Sequence, residues 1–199
     1  MARNDPNHLP LVVALTGASG ICYGIRLIEA LLEFHLPPHL ILSSGAELVA
    51  QTEAGVDLNP LKEQVAQVHP VDDLAASVAS GSFPVGGMVI SPCSMKTLSM
   101  VAHGIELNLV ARAAMCQLKE GRKLVLVPRE TPLALPTLEN LHKAALAGAI
   151  ILPAMPGFYH KPLSQLTVQD LVDFVVGKTL DQFSIPHTLF KRWGSLSTQ

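Results

Sequence analysis

Two kinds of apolar pattern take turns along the chain. Leu11-Val-Val-Ala-Leu-Thr16 is an unbroken apolar run closing on the turn Thr16-Gly-Ala-Ser-Gly20, as expected of a parallel strand buried on both faces. Beyond Gly20 the period changes: Ile21, Ile25, Ile28, Leu31 and Leu32 recur at helical spacing until Pro37-Pro38. Proline stops such a pattern because it has no amide donor and its ring clashes with the preceding turn. His39-Leu-Ile-Leu-Ser43 then predicts a second strand and completes a βαβ unit. Further runs at Gly87–Ile90, Leu124–Val127 and Ala149–Leu152 alternate with helical stretches near 95–120, 135–147 and 167–183. Such alternation predicts a parallel sheet with helices on both faces. The stretch 55–86, with Pro60, Pro70, Gly81 and Pro84, predicts helix plus loop inside the same domain.

Composition narrows the class. A chain of 199 residues suits one three-layer domain, here 11–199 behind a disordered lead at 1–10. Apolar residues make up 49% and charged residues 15%, with a mean hydropathy of +0.36. That surplus predicts a surface buried between subunits, since no run of 18 uncharged apolar residues offers a membrane span. A net charge of −2 provides no field for nucleic acid. Arg3, Asp5 and Pro6 stand where a signal peptide needs an apolar core, so a cytoplasmic location is expected. Cys22, Cys93 and Cys116 lack paired spacing and read as reduced thiols. His35 and His39 are separated by two prolines, and no metal site is expected.

Candidate chemistry gathers at strand ends, where open parallel sheets bind ligands. Thr16–Gly20 opens a helix, so its amides and the Ser19 hydroxyl suit a phosphate, although a tight glycine turn also serves packing alone. The same turn occurs in short-chain dehydrogenases. Their Tyr and Lys stand four apart, however, whereas Leu27 follows Tyr23 and Leu163 follows Tyr159 at that distance. The second strand also ends in Ser43-Ser44-Gly45 rather than the acidic residue that holds an NAD ribose. FMN, with one phosphate, suits the loop better. Ser91-Pro-Cys-Ser-Met-Lys-Thr97 repeats the arrangement after a later strand, with Ser94 and Thr97 serving either as ligand contacts or as helix caps. Arg112 and Lys119 lie two helical turns apart on one face, as an anion site or a solvated face. Arg129 and Glu130 stand just past a buried strand, as ligand contacts or a structural ion pair.

Thr16-Gly-Ala-Ser-Gly20, Pro92-Cys-Ser-Met-Lys-Thr97, Arg112-Ala-Ala, Leu118-Lys-Glu120, Pro128-Arg-Glu-Thr-Pro132 and Phe158-Tyr-His-Lys-Pro162, in this order and spacing, resemble the UbiX/Pad flavin prenyltransferase family from Leu11 to about Trp193. The resemblance implies an α/β, Rossmann-like (flavodoxin-like) single domain, assembled as a dodecamer with its sites between subunits. It implies that Gly17, Ala18, Ser19, Ser43, Ser94, Met95, Lys96, Thr97, Arg112 and Arg129 contact FMN. Lys119, Arg129, Tyr159 and Lys178 are then expected around the prenyl phosphate, with Trp193 closing over it. Glu53, Ser80 and Glu130 are expected to handle protons and alignment, alongside Lys119, in catalysis. The implied reaction joins the dimethylallyl group of dimethylallyl phosphate to N5 and C6 of reduced FMN, without a metal, for a UbiD-type decarboxylase. Several positions depart from the family pattern: Met115-Cys116, Gly121, Thr137, Leu74 where Trp is frequent, and Lys178 where Arg is common. Two other functions fit the resemblance: an FMN-dependent decarboxylase of phenylacrylic or cysteine-type acids, and a flavin carrier without turnover.

Overall fold

The structure, a computed structural model, describes residues 9–159 and 161–194. Of the expected lead, residues 1–8 lie outside these, while the Pro10 carbonyl accepts a hydrogen bond from the Gly86 amide. In chain order the elements are β1 (Leu11–Leu15), α1 (Ile21–Glu33), β2 (His39–Leu42), α2 (Ser44–Val49), α3 (Asn59–Lys62), β3 (Gln67–Pro70), β4 (Gly87–Cys93), α4 (Met95–His103), α5 (Leu109–Lys119), β5 (Leu124–Pro128), α6 (Leu135–Leu146), β6 (Ile150–Ile151) and α7 (Val168–Gln182). A π-helical turn, Ala50–Ala54, extends α2. All six strands are parallel in the order β3-β2-β1-β4-β5-β6, that of a doubly wound Rossmann-like sheet.

Two cores follow from the period of two along each strand. Leu11, Val13 and Leu15 of β1, with Leu40, Val89 and Val125 of its neighbours, pack beneath α1 and α7. Val12, Ala14, Ile41, Met88, Ile90 and Leu126 face the opposite way, beneath α4, α5 and α6. Leu15, Ile28, Leu31 and Ile90 are fully buried, and each such side chain contributes about 1.5–3 kcal/mol through the water it sheds. Helix α1 lies especially close to β4, because a Cβ on Gly24 would stand 2.1 Å from the Ser91 carbonyl oxygen.

The sequence expectations change in three places. The stretch 55–86 contains the edge strand β3, whose four residues run exposed, half-buried, buried and exposed. An edge strand needs no continuous apolar run, so its pattern resembled a loop. The helical stretch at 95–120 is two helices: Gly104, at φ 65°, ends α4, and Asn108 caps α5 by accepting a hydrogen bond from the Ala111 amide. The last strand spans only Ile150–Ile151. Among the described residues no helix is long and apolar enough to cross a membrane, and no group of three or more His, Cys, Asp or Glu could hold a metal.

Candidate active site

The chain crosses over at β1, flanked by β2 and β4, and the turns leaving these three strands converge at their carboxyl ends. Thr16 ties two of them together. Its hydroxyl donates to the Pro92 carbonyl at 2.6 Å and accepts from the Ser94 amide at 2.9 Å. The turns after β1 and β2 meet through glycine: a Cβ on Gly17 would stand 3.0 Å from Gly45 Cα, and one on Gly45 3.2 Å from Gly17 Cα. Only hydrogen side chains permit that approach. Gly17, Ala18, Ser19, Ser43 and Ser94–Thr97 therefore stand on turns that meet at the carboxyl ends of β1, β2 and β4.

Polar groups where these turns meet are partly committed to one another. Gly20, at φ 93°, precedes α1 without a side-chain cap of its own. Glu53 from the π-helical turn takes that place, its Oε2 accepting from the Gly20 amide at 2.9 Å and the Ile21 amide at 3.4 Å. Burial alone would raise the Glu53 carboxyl. Hydrogen bonds from Ser19, Gly20 and Ile21, with the nearby Arg129 charge, outweigh it and hold the group below its ordinary value. Arg129 Nε in turn donates to the Ser19 carbonyl at 3.1 Å. The start of α1, where a phosphate was expected, thus already carries an anion, because a carboxylate satisfies its free amides and dipole. The starts of α2 and α4 lie at the ends of the neighbouring strands β2 and β4.

Those starts are ordered by their own hydroxyls. Ser43 Oγ accepts from the Ala46 amide at 3.2 Å. Ser94 Oγ accepts from the Thr97 amide at 3.3 Å and donates to Thr97 Oγ1 at 3.0 Å, so the capping alternative is realised at α4. Met95 is half-buried and Lys96 exposed beside them. The Cys93 thiol beneath is fully buried, and burial pushes it up to about 12; Cys22 is exposed, yet desolvation raises it too. Neither is a ready thiolate nucleophile.

The remaining candidates form two further groups. Along α5, Arg112 Nε donates to the Ala79 carbonyl at 2.9 Å and its Nη1 meets Glu106 at 2.7 Å. Lys119 pairs with Glu120 at 3.3 Å, and both abut Gly81, where a Cβ would stand 2.2 Å from Glu120 Oε1. Arg112 and Lys119 do share a helix face, and that face holds the turn carrying exposed Ser80. Lys119 ends α5 just before β5 begins, whereas Arg129 and exposed Glu130 follow its end. Five residues of strand separate these levels by roughly 16 Å, so Lys119 and Arg129 start from opposite ends of β5.

The third group lies past β6. Tyr159 meets Trp193 edge-on with ring centroids 5.4 Å apart and Phe174 at 5.6 Å. Lys178, one turn beyond Phe174 on α7, stands 3.6 Å from Asp181. Lys161 pairs with Asp170 at 2.5 Å, and His160 lies outside the described residues. Sequence reasoning missed the stitching role of Thr16, whose only signal was a hydroxyl at the end of an apolar strand. It also missed Gly45, marked only as the first glycine after β2.

A family model described as Flavoprotein matches residues 2–180. A relative in Alkalihalophilus pseudofirmus, named flavin prenyltransferase UbiX, is 47% identical over 92% of this chain and 96% of its own. The crystal structure of AnUbiX in complex with FMN and dimethylallyl pyrophosphate superposes with a TM-score of 0.89 at 40% identity, covering 94% of this chain and 97% of that one. A dodecameric FMN-dependent UbiX-like decarboxylase from Escherichia coli gives a TM-score of 0.88 at 41% identity, covering 93% and 99%. With the Thr16–Gly20 and Ser94–Thr97 turns meeting at the carboxyl ends of their strands, these matches show that the chain belongs to the flavoprotein family and, within it, to the UbiX flavin prenyltransferases.

Proposed function

We propose that this protein joins the dimethylallyl group of dimethylallyl phosphate to N5 and C6 of reduced FMN, releasing phosphate. The observation that carries the reading is the linked set Ser19, Glu53 and Arg129 on the side-chain-free turn at Gly17, beside the hydroxyl-lined start of α4. Such a turn fits FMN: a flat ring can approach glycine backbone closely, and hydroxyls, helix starts and a cation suit one phosphate. Gly17, Ala18, Ser19, Ser43, Ser94–Thr97 and Arg129 would hold it, with Arg112 contributing from α5.

Reduced FMN supplies the electron-rich ring that accepts the allyl carbon. The protein's part is electrostatic and proton-handling. Ionising the allylic C–O bond concentrates negative charge on the departing phosphate, and Lys119, Arg129 and Lys178 meet it as fixed cations with the Tyr159 hydroxyl. The aromatic faces of Tyr159 and Trp193 suit the positive allyl fragment. Glu53, bonded to Ser19, and Glu130 would handle the protons, and Ser80 would align the reactants from its turn. None of these roles calls for a metal.

Because Lys119 and Arg129 start from opposite ends of β5, we propose that the site is completed between protomers of a closed homo-oligomer, a dodecamer like the related Escherichia coli protein. Exposed Leu107, Leu135, Leu146 and Met155 provide apolar surface for such contacts. The product would pass to a UbiD-type decarboxylase, and the three free cysteines suit a reducing cytoplasm. Solved relatives are also named decarboxylases. Incubation with dimethylallyl phosphate and reduced FMN, in parallel with a phenylacrylic acid, tests the reading: consumption of the prenyl phosphate without carbon dioxide release supports it. Carbon dioxide release alone overturns it, and FMN retention with neither reaction identifies a carrier.

A further inference from the structure

The segment 185–194 folds back along α7 and carries Trp193 to Tyr159. Three features seat it there. At Gly177 a Cβ would stand 2.5 Å from Phe190 Cε1 and 2.6 Å from His187 Cε1, so the segment rests directly on the helix backbone. His187, Phe190, Phe174, Tyr159 and Trp193 follow one another with ring centroids 5.3, 5.0, 5.6 and 5.4 Å apart. The third feature is a single carboxylate. Asp181 of α7 receives Arg192 through two nitrogens, at 2.7 and 3.2 Å, and His187 Nε2 at 3.1 Å, while Lys178 Nζ lies 3.6 Å away.

We infer that Asp181 is a positioning residue for prenyl transfer, fixing through Arg192 and His187 the arm that carries Trp193 while holding Lys178 beside it. The inference rests on the function proposed above, which places Lys178 and Trp193 at the prenyl phosphate. A bidentate arginine–carboxylate contact fixes direction as well as distance, and Arg192 is the residue next to Trp193. The His187 side chain is fully shielded from solvent, so the clamp has one anchored end under the arm and one at its tip. Among the described residues, the side-chain partners of Asp181 are Arg192, His187 and Lys178, all on α7 or the arm. Its effect should fall on the prenyl substrate and leave FMN alone.

Trp193 is the sole tryptophan of the chain, so its emission reports the arm without labelling. Asp181→Asn retains shape and removes charge. In the purified full-length protein it should lower Trp193 fluorescence anisotropy and raise KM for dimethylallyl phosphate about tenfold, the scale of one charge-assisted contact. FMN occupancy should stay near wild type. Arg192→Ala, on the exposed arm, should shift both readouts in the same direction, and the double variant should be no worse than Asp181→Asn alone because the Arg192 contact is among those that Asp181→Asn already removes. A merely structural aspartate would shift stability without this split. If the wild type forms no prenylated flavin, the proposed function itself fails. If the wild type turns over while Asp181→Asn keeps wild-type KM or wild-type anisotropy, the inference alone is overturned.

Discussion

The Glu53 carboxylate accepts a hydrogen bond from the Gly20 amide at 2.9 Å across 33 residues of sequence, so the start of α1 carries its own anion. Ser19 binds the same carboxylate. Ser19→Asp would set a second negative charge against Glu53 and the flavin, and should abolish FMN occupancy, read as flavin absorbance of the purified protein. Wild-type occupancy would remove the assignment of FMN to this turn. Glu53 is held below its ordinary carboxyl value, so its stabilising contribution is complete above about 4.3 and disappears as pH falls through the folded value. Glu53→Gln should flatten that acid limb of the melting curve.

Two glycines should respond differently to the same methyl group. Gly24→Ala drives Cβ to 2.1 Å from the Ser91 carbonyl oxygen and 2.4 Å from Leu15 Cδ2, and should cost about 1–3 kcal/mol of stability, the usual range for overpacking. Gly17→Ala meets Gly45 at 3.0 Å on the surface. It should separate the turns after β1 and β2, weakening FMN binding with little loss of fold. Denaturant unfolding and flavin titration distinguish the two outcomes.

His39 and His69, buried on β2 and β3, place Nδ1 and Nε2 3.1 Å apart. Burial pushes both imidazoles down; the His69 ring adds to this at His39, while Asp73 opposes it at His69. The unfolded chain then binds protons more readily than the folded one. Stability should be complete above about pH 6.5 and fall as pH drops below it toward the lowered values. Replacing both by leucine should flatten this slope, measured as Tm against pH.

Much of this architecture was legible in the sequence, for physical reasons that also explain the gaps. Buried parallel strands at Leu11, His39, Gly87 and Leu124 announce themselves as apolar runs, and Ser94 reads as a cap because N-terminal amides need an acceptor. Strand β3 was hidden because Gln67 and Pro70 face solvent at a sheet edge. The pairing of Glu53 with Gly20 depends on a long-range approach that no local spacing encodes. Likewise, Arg112 and Lys119 share a face as their spacing predicts, but their distance from Arg129 emerges only from the path of α5 into β5.

That separation has a consequence for catalysis. Lys119→Ala and Arg129→Ala should each lose roughly 10²-fold or more in turnover, as when one preorganised charge is removed from a transition state. Co-expressed, they should recover a fraction of activity, because mixed assemblies can pair an intact Lys119 with an intact Arg129 from different protomers. No recovery would place the site within one chain. Glu130→Gln should keep FMN and consume dimethylallyl phosphate without releasing mature product, a pattern that rapid-quench mass spectrometry separates from the intact prenyl phosphate left by Lys119→Ala.

The most direct measurement is the mass of the flavin recovered after anaerobic incubation of the protein with reduced FMN and dimethylallyl phosphate. Addition of one five-carbon unit to FMN by the wild type, and its loss in Lys119→Ala with FMN still bound, is the expected result. Unmodified FMN from a well-folded, flavin-loaded wild type would contradict prenyl transfer at this site.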